Sequence, residues 1–144
     1  MDGIKLYPLK QINVPKGDIY HALKSTDADY IGFGEVYFSW IEHGQVKGWK
    51  RHNRMTLNII VPVGEIKFVI YDDRKNSTTY GTFEEIVLSA AFNYQRLVVS
   101  PGLWMAFCGV AEGESMLMDV IPELHDPKET DRKELLEIPY VFNL

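Results

Sequence analysis

Residues 46 to 55, VKGWKRHNRM, place Lys47, Lys50, Arg51, His52 and Arg54 close together in a chain of 144 residues whose formal net charge is -5. Each of these side chains supports a definite chemistry. An imidazole titrates near neutrality and can move a proton without tuning. A lysine in a partly apolar cavity can lose enough basicity to accept a proton, or it can stay charged and stabilise a developing oxyanion. Lysine and arginine also hold phosphate, lysine as a point charge and arginine through a planar fork. The same run on a solvated loop would do none of this, and charge runs commonly just face water. Which reading holds depends on the elements that carry the run.

Those elements read as strands. EVYFSWI (35 to 41) alternates, with Val36, Phe38 and Trp40 on one face and Glu35, Tyr37 and Ser39 on the other. TLNIIVPVG and EIKFVIYDD are two β-rich runs meeting at Gly64, which reads as a turn, and DDRKNSTTYG is a polar loop. FEEIVLS (83 to 89), QRLVVS (95 to 100) and ESMLMDVI (114 to 121) have strand length and turn-forming flanks. Many short strands at regular spacing give an all-β antiparallel barrel or jelly roll. The tail DPKETDRKELLEI is expected to form a short helix, with Asp126 as cap, Pro127 at the first position and Glu129 at the third. On a strand through KGWKRH, Lys50 and His52 share a parity and point to the same side.

The length fits one domain over residues 1 to 144, with no repeat or linker dividing it. A single cysteine, Cys108, and the absence of zinc spacings fit a reducing cytoplasm. No signal peptide or membrane-spanning run is evident, so a soluble cytoplasmic protein without membrane partners is expected. The acidic balance argues against nucleic acid, whose affinity comes mostly from cations on phosphates. A small anionic ligand needs only a local basic cluster.

From about residue 15 to 131 the chain resembles the RmlC-like cupins, the dTDP-4-dehydrorhamnose 3,5-epimerase family. KGDIYHAL is similar to the family's Arg-Gly-x-Phe segment and GQVKGWK to its Val-Leu-Arg-Gly-Leu-His. VGEIKFVIYDDRKNSTTYGTF is similar to Gly-x-Val-x-Asp-Val-x-x-Asp-Leu-Arg-x-x-Ser-x-Thr-[Phe/Tyr]-Gly. LVVSPGLWMAF resembles Ile-Pro-x-Gly-x-Ala-His-Gly-Phe, and HDPKETD the Tyr-x-Pro-x-x-Glu region. The order and spacing of these segments imply a cupin-type jelly roll. They also imply proton exchange beside the C4 ketone of a nucleotide-linked sugar, by a histidine base on one face and a tyrosine acid on the other, in bacterial surface-polysaccharide synthesis. The decisive positions depart from the pattern. Lys50 stands where the base histidine is expected, Met105 replaces a second histidine, and the tyrosine's position falls near Met118 or Asp119. The cupin metal pattern lands on Lys50, His52, Leu57 and Met105; one ligand of four cannot hold an ion, so no metal and no cofactor are expected.

The resemblance places Lys47 beside the sugar nucleotide and Lys16 at a phosphate contact, and Arg51 of the same basic run is a further substrate-binding candidate. His52 is expected as the base, with Lys50 stabilising the enolate oxygen. Asn58 is either an ordinary strand residue or a partner for a sugar hydroxyl. Trp49 and Trp104 are core or dimer-interface residues or else stack on a base or sugar, and Trp104 is the substrate-binding candidate of the two. Tyr37 or Tyr71 could supply the missing acid if it faces the cavity. His21, His43 and His125 are expected at the surface, and Asp72, Asp73 and Arg74 in a turn with a local ion pair. The resemblance further implies a homodimer in which residues 1 to 24 contact the other subunit. Two functions follow: a nucleoside-diphosphate keto-sugar epimerase or isomerase, or the same barrel binding a sugar nucleotide or glycan without catalysis.

Overall fold

The computed structural model describes residues 1 to 143. Its strands are β1 (Ile4–Pro8), β2 (Gln11–Ile12), β3 (Ile19–Tyr20), β4 (Glu35–Glu42), β5 (Val46–His52), β6 (Leu57–Val63), β7 (Glu65–Tyr71), β8 (Phe83–Ser89), β9 (Gln95–Val99), β10 (Trp104–Gly109), β11 (Glu114–Ile121) and β12 (Thr130–Arg132). One sheet has the order β1-β9-β6-β11-β4, the other β12-β5-β10-β7-β8, and β2 and β3 form a separate hairpin. All ladders between named strands are antiparallel, and the pairs β4·β11, β5·β10, β6·β9 and β7·β8 nest inside one another. That nesting is a jelly roll: a long hairpin folded over so that its two ends close one barrel.

The alternation in each strand decides what lies between the sheets. Leu57, Ile59 and Val61 from one sheet meet Ile66, Phe68 and Ile70 from the other in a buried core with Leu88, Leu97 and Leu117. β6 and β7 belong to different sheets, so the chain must turn sharply between them. Gly64 makes that corner at φ 78°, and a Cβ there would lie 2.2 Å from the Ser115 hydroxyl, so no other residue fits without displacement.

The tail differs from the expected helix. Asp126 does cap, accepting from the Lys128 amide, and Pro127 does start the turn, but the turn is a single 3-10 turn over Pro127–Glu129. The chain then extends as β12 along the open edge of β5, pairing Thr130 with His52 and Arg132 with Lys50. A second 3-10 turn covers Leu135–Glu137. A helix this short is marginal by itself, and the unpaired edge of β5 offers the backbone better partners. Beyond it, Ile138, Tyr140 and Phe142 pack over Trp49, Val69, Trp104 and Ala106, closing the outer face of the second sheet. No helix of the described residues is long and apolar enough to cross a membrane.

Candidate functional site

Strict alternation along β5 would put Lys47 on the opposite face from Lys50. The ladder with β10 instead pairs Met105 with Lys50 and Phe107 with Lys47, so that two residues of β5, Gly48 and Trp49, stand against one of β10, Ala106. This bulge adds one residue at Gly48 and Trp49 and so returns Lys47 to the inner face. Lys47, Lys50 and His52 therefore all line one cavity between the sheets, of about 400 Å³.

His52 is buried, and its Nδ1 lies 2.6 Å from Glu129 Oε1. Glu129 Oε2 accepts from the backbone amides of Arg54 at 2.7 Å and Met55 at 2.9 Å. Burial pushes the Glu129 carboxyl up, but those amides and the His52 ring outweigh it and hold it below its ordinary value. The carboxylate can only accept, so the His52 proton sits on Nδ1 and the Nε2 lone pair is free. Burial lowers the pKa of His52 more than Glu129 raises it, which keeps the ring neutral near pH 7. A neutral imidazole oriented by a buried carboxylate is the arrangement a general base needs.

The facing sheet supplies the other wall. Tyr37 on β4 and Asp119 on β11 stand directly opposite in the ladder, and Tyr37 Oη donates to Asp119 Oδ2 at 3.0 Å. Burial drives the Asp119 carboxyl up to about 7, against the Tyr37 hydrogen bond and the Lys50 charge. Burial and Asp119 together raise the Tyr37 phenol. Burial, and then the neighbouring Arg132 guanidinium, lower the Lys50 ammonium, while Asp119 and Glu129 oppose that shift. Apolar walls from Leu57, Ile59, Leu103, Met105 and Phe107 complete the cavity. At the rim, Lys47 Nζ is steadied by Ser39 Oγ at 2.9 Å and the Trp40 carbonyl at 2.8 Å. The arrangement can take a carbon-bound proton from one side, offer one from the other, and hold an anion at the rim.

Of the expected residues, the structure brings His52, Lys50, Lys47 and Tyr37 together and leaves five outside the cavity. Arg51 has the opposite parity, stacks on Trp104, and pairs with Asp131 at 2.7 Å and Asp73 at 3.5 Å. Trp104 is buried and donates from its indole to Asp73, so it is core and not a stacking platform in this cavity. Asn58 lies behind the cavity wall, accepting from the buried Arg96 guanidinium and donating to the Asp29 carbonyl. Lys16 is exposed in the turn between β2 and β3, away from the cavity lining. Tyr71 stacks on Phe83 outside it. Asp72 and Arg74 do form the local ion pair of the loop. Val36, Phe38 and Trp40 share a face as the alternation implies, but that face is exposed and it is the Tyr37 side that lines the cavity. Glu129 and Asp119 were not among the expected site residues. Glu129 could have been found as the glutamate of HDPKETD, and Asp119 as an acidic residue inside the apolar run MLMDVI. The described residues contain no cluster of three or more histidine, cysteine, aspartate or glutamate side chains that could hold a metal ion.

The chain is also similar to known proteins. No protein-family model matches the chain. The chain is 32% identical to the solved structure of a dTDP sugar isomerase from Desulfovibrio desulfuricans, with a TM-score of 0.94 over 97% of this chain and 90% of that one. It is 29% identical over 134 residues to the probable low-salt glycan biosynthesis epimerase Agl13 of Haloferax volcanii, covering 90% of this chain and 83% of that protein. The 3'-monoepimerase ChmJ of Streptomyces bikiniensis, solved with dTDP-quinovose, superposes with a TM-score of 0.84 over 96% of this chain and 74% of that one, and at 15% identity it shares the fold alone.

Proposed function

Because the chain belongs to the RmlC-like cupin family of dTDP-sugar epimerases and isomerases, we propose that it moves a proton at the carbon next to the ketone of a nucleoside-diphosphate keto-deoxysugar, in glycan biosynthesis. The observation that carries this is the buried His52–Glu129 pair, at 2.6 Å, with His52 lining the cavity between the sheets. His52 lies two residues beyond the position where the resemblance expects the base. The same-face parity of Lys50 and His52 makes the displacement tolerable, since the ring reaches the same cavity from one step further along the strand.

In the proposed reaction the C4 ketone makes the neighbouring C–H acidic by stabilising the carbanion as an enolate. His52 takes that proton. Lys50, charged, stabilises the enolate oxygen, and Tyr37 from the facing sheet returns a proton. Return to the opposite face of the same carbon gives an epimer; return elsewhere on the enediol gives an isomer. Lys47 binds the diphosphate. One domain carries the whole site, and a homodimer, with the exposed hairpin of β2 and β3 offered to a second copy, is its proposed assembly.

The second reading, a binding cupin without catalysis, is favoured by Lys50 in the place of the usual histidine. Solvent deuterium incorporation into a dTDP-4-keto-6-deoxy sugar, followed by NMR, separates the two. Exchange that is present in the wild type and lost in His52→Ala supports the enzyme and its base. Exchange lost only in Lys50→Ala would interchange the two roles. No exchange over a panel of keto-sugars would move the function to binding.

A further inference from the structure

The wall opposite His52 holds a carboxyl group that the proposed reaction does not yet use. Asp119 is 4% exposed, and of its two oxygens Oδ2 meets Tyr37 Oη while Oδ1 has no hydrogen-bond partner. Its surroundings are apolar on its own strand, where Leu117 and Ile121 flank it, and on β6, where Ile59 is its ladder partner. The charged and titratable groups that face it or its partner are few: Tyr37 and Glu35 from β4, and Lys50 from β5, with the His52–Glu129 pair and Arg132 beyond Lys50. A carboxylate with an unpartnered oxygen in such a place is costly, and the neutral acid is the form that burial favours.

The two forms of Asp119 place the phenol hydrogen differently. A carboxylate can only accept, so it takes the Tyr37 hydrogen for itself. A carboxylic acid can donate through Oδ2 to the phenol oxygen, and the phenol hydrogen is then free to point into the cavity. We propose that Asp119 is a positioning residue that arms Tyr37, holding the phenol as a donor to substrate while Asp119 is the neutral acid and withdrawing it when Asp119 ionises. This rests on the keto-sugar reaction proposed above. The protons balance: the Tyr37 O–H breaks as the new C–H forms, the Asp119 O–H breaks as the phenol is restored, and the proton on His52 and the one missing from Asp119 are exchanged with solvent.

Because the substrate-facing groups lie on two sheets, exchange and product formation can be read separately. His52 alone can wash solvent deuterium into the substrate, whereas product needs Tyr37. In the wild type, product formation is expected to fall about tenfold per pH unit above about 7, the value to which burial drives Asp119, while exchange persists. In Asp119→Asn the amide donates to Tyr37 at every pH, so this limb disappears. In Tyr37→Phe product formation drops by about 100-fold or more with exchange retained. A carbon-13 NMR titration of the side-chain carboxyls reads Asp119 in the wild type without substrate. A carboxyl midpoint near 7 that is absent from Asp119→Asn supports the proposal, and an Asp119 midpoint below 5 overturns it. An unchanged alkaline limb in Asp119→Asn, or full product formation in Tyr37→Phe, also overturns it while leaving His52-dependent exchange, and hence the proposed function, intact. A wild type that shows no exchange overturns both.

Discussion

Replacing Glu129 by glutamine tests the orientation of the base with a change of one atom. The carboxylate accepts three hydrogen bonds, at 2.6, 2.7 and 2.9 Å. Oε2 faces two backbone amides, so an amide nitrogen cannot sit there without losing both; the glutamine must turn its oxygen to the amides and its nitrogen to His52. His52 Nδ1 then has to accept, the ring proton moves to Nε2, and the nitrogen that faces substrate can no longer take a proton. Hydrogen bonds to a charged group contribute about 1.5–3 kcal/mol and neutral ones about 0.5–1.5 kcal/mol. Neutralising three of them therefore loses about 3 kcal/mol, partly offset because a buried charge is no longer desolvated, and the net cost is about 1–2 kcal/mol. A domain of this size has about 5–15 kcal/mol of stability, so Glu129→Gln folds. Proton transfer is different: loss of a general base slows it by about 100- to 10,000-fold. Denaturant unfolding and deuterium exchange into a dTDP-4-keto-6-deoxy sugar, run on the same preparation, measure the two. A folded Glu129→Gln protein exchanging at the wild-type rate would refute the assignment of His52 as a Glu129-oriented base.

The other expectations concern binding, acid stability and assembly. Lys47→Ala should raise the dissociation constant for a nucleoside-diphosphate sugar about tenfold or more, since a charge-assisted contact to phosphate contributes about 1.5–3 kcal/mol; calorimetry showing unchanged affinity would return Lys47 to a solvated rim. Asp72, held below its ordinary range by Arg74, Ser77 and Thr79, and Glu129, also lowered, both keep depressed values in the folded state. Their contribution is fully present above the unfolded values near 4 and is lost as pH falls through the folded ones, so unfolding free energy should drop steeply below pH 4 and more gently in Asp72→Asn. Light scattering is expected to give a dimer at micromolar concentration, and a monomer there would withdraw support from Lys16 as a ligand contact made across subunits.

The strand pattern was legible because period-two alternation and turn residues determine it locally. Phe83–Ser89 and Glu114–Ile121 have the expected bounds, and Gly64 turns the chain where expected. The common direction of Lys50 and His52 follows from parity alone. Four features were not legible for a physical reason. The bulge that brings Lys47 inward is a property of the β5·β10 ladder, visible only once its partner is known. The tail's caps are real, but a free sheet edge competes with a short helix, and no local signal reports that edge. Asn58 and Trp104 carry polar groups suited to a ligand, yet those groups are satisfied by Arg96 and Asp73, which lie far away in sequence. Likewise β4 turns its apolar set outward and its tyrosine inward, because the space between the sheets at that end is a cavity and not packed core.

The proposed reaction requires His52 to meet a carbon-bound proton of a keto-sugar held between the two sheets. The most direct measurement is a crystal structure of the slowed Glu129→Gln protein with a dTDP-4-keto-6-deoxy sugar bound. The sugar is expected in the cavity between β5 and β4, with the diphosphate at Lys47 and a carbon adjacent to the ketone within about 3–3.5 Å of His52 Nε2, the separation at which reacting atoms are poised. A sugar bound outside this cavity, or bound in it with no carbon beside the ketone near the His52 ring, would contradict it.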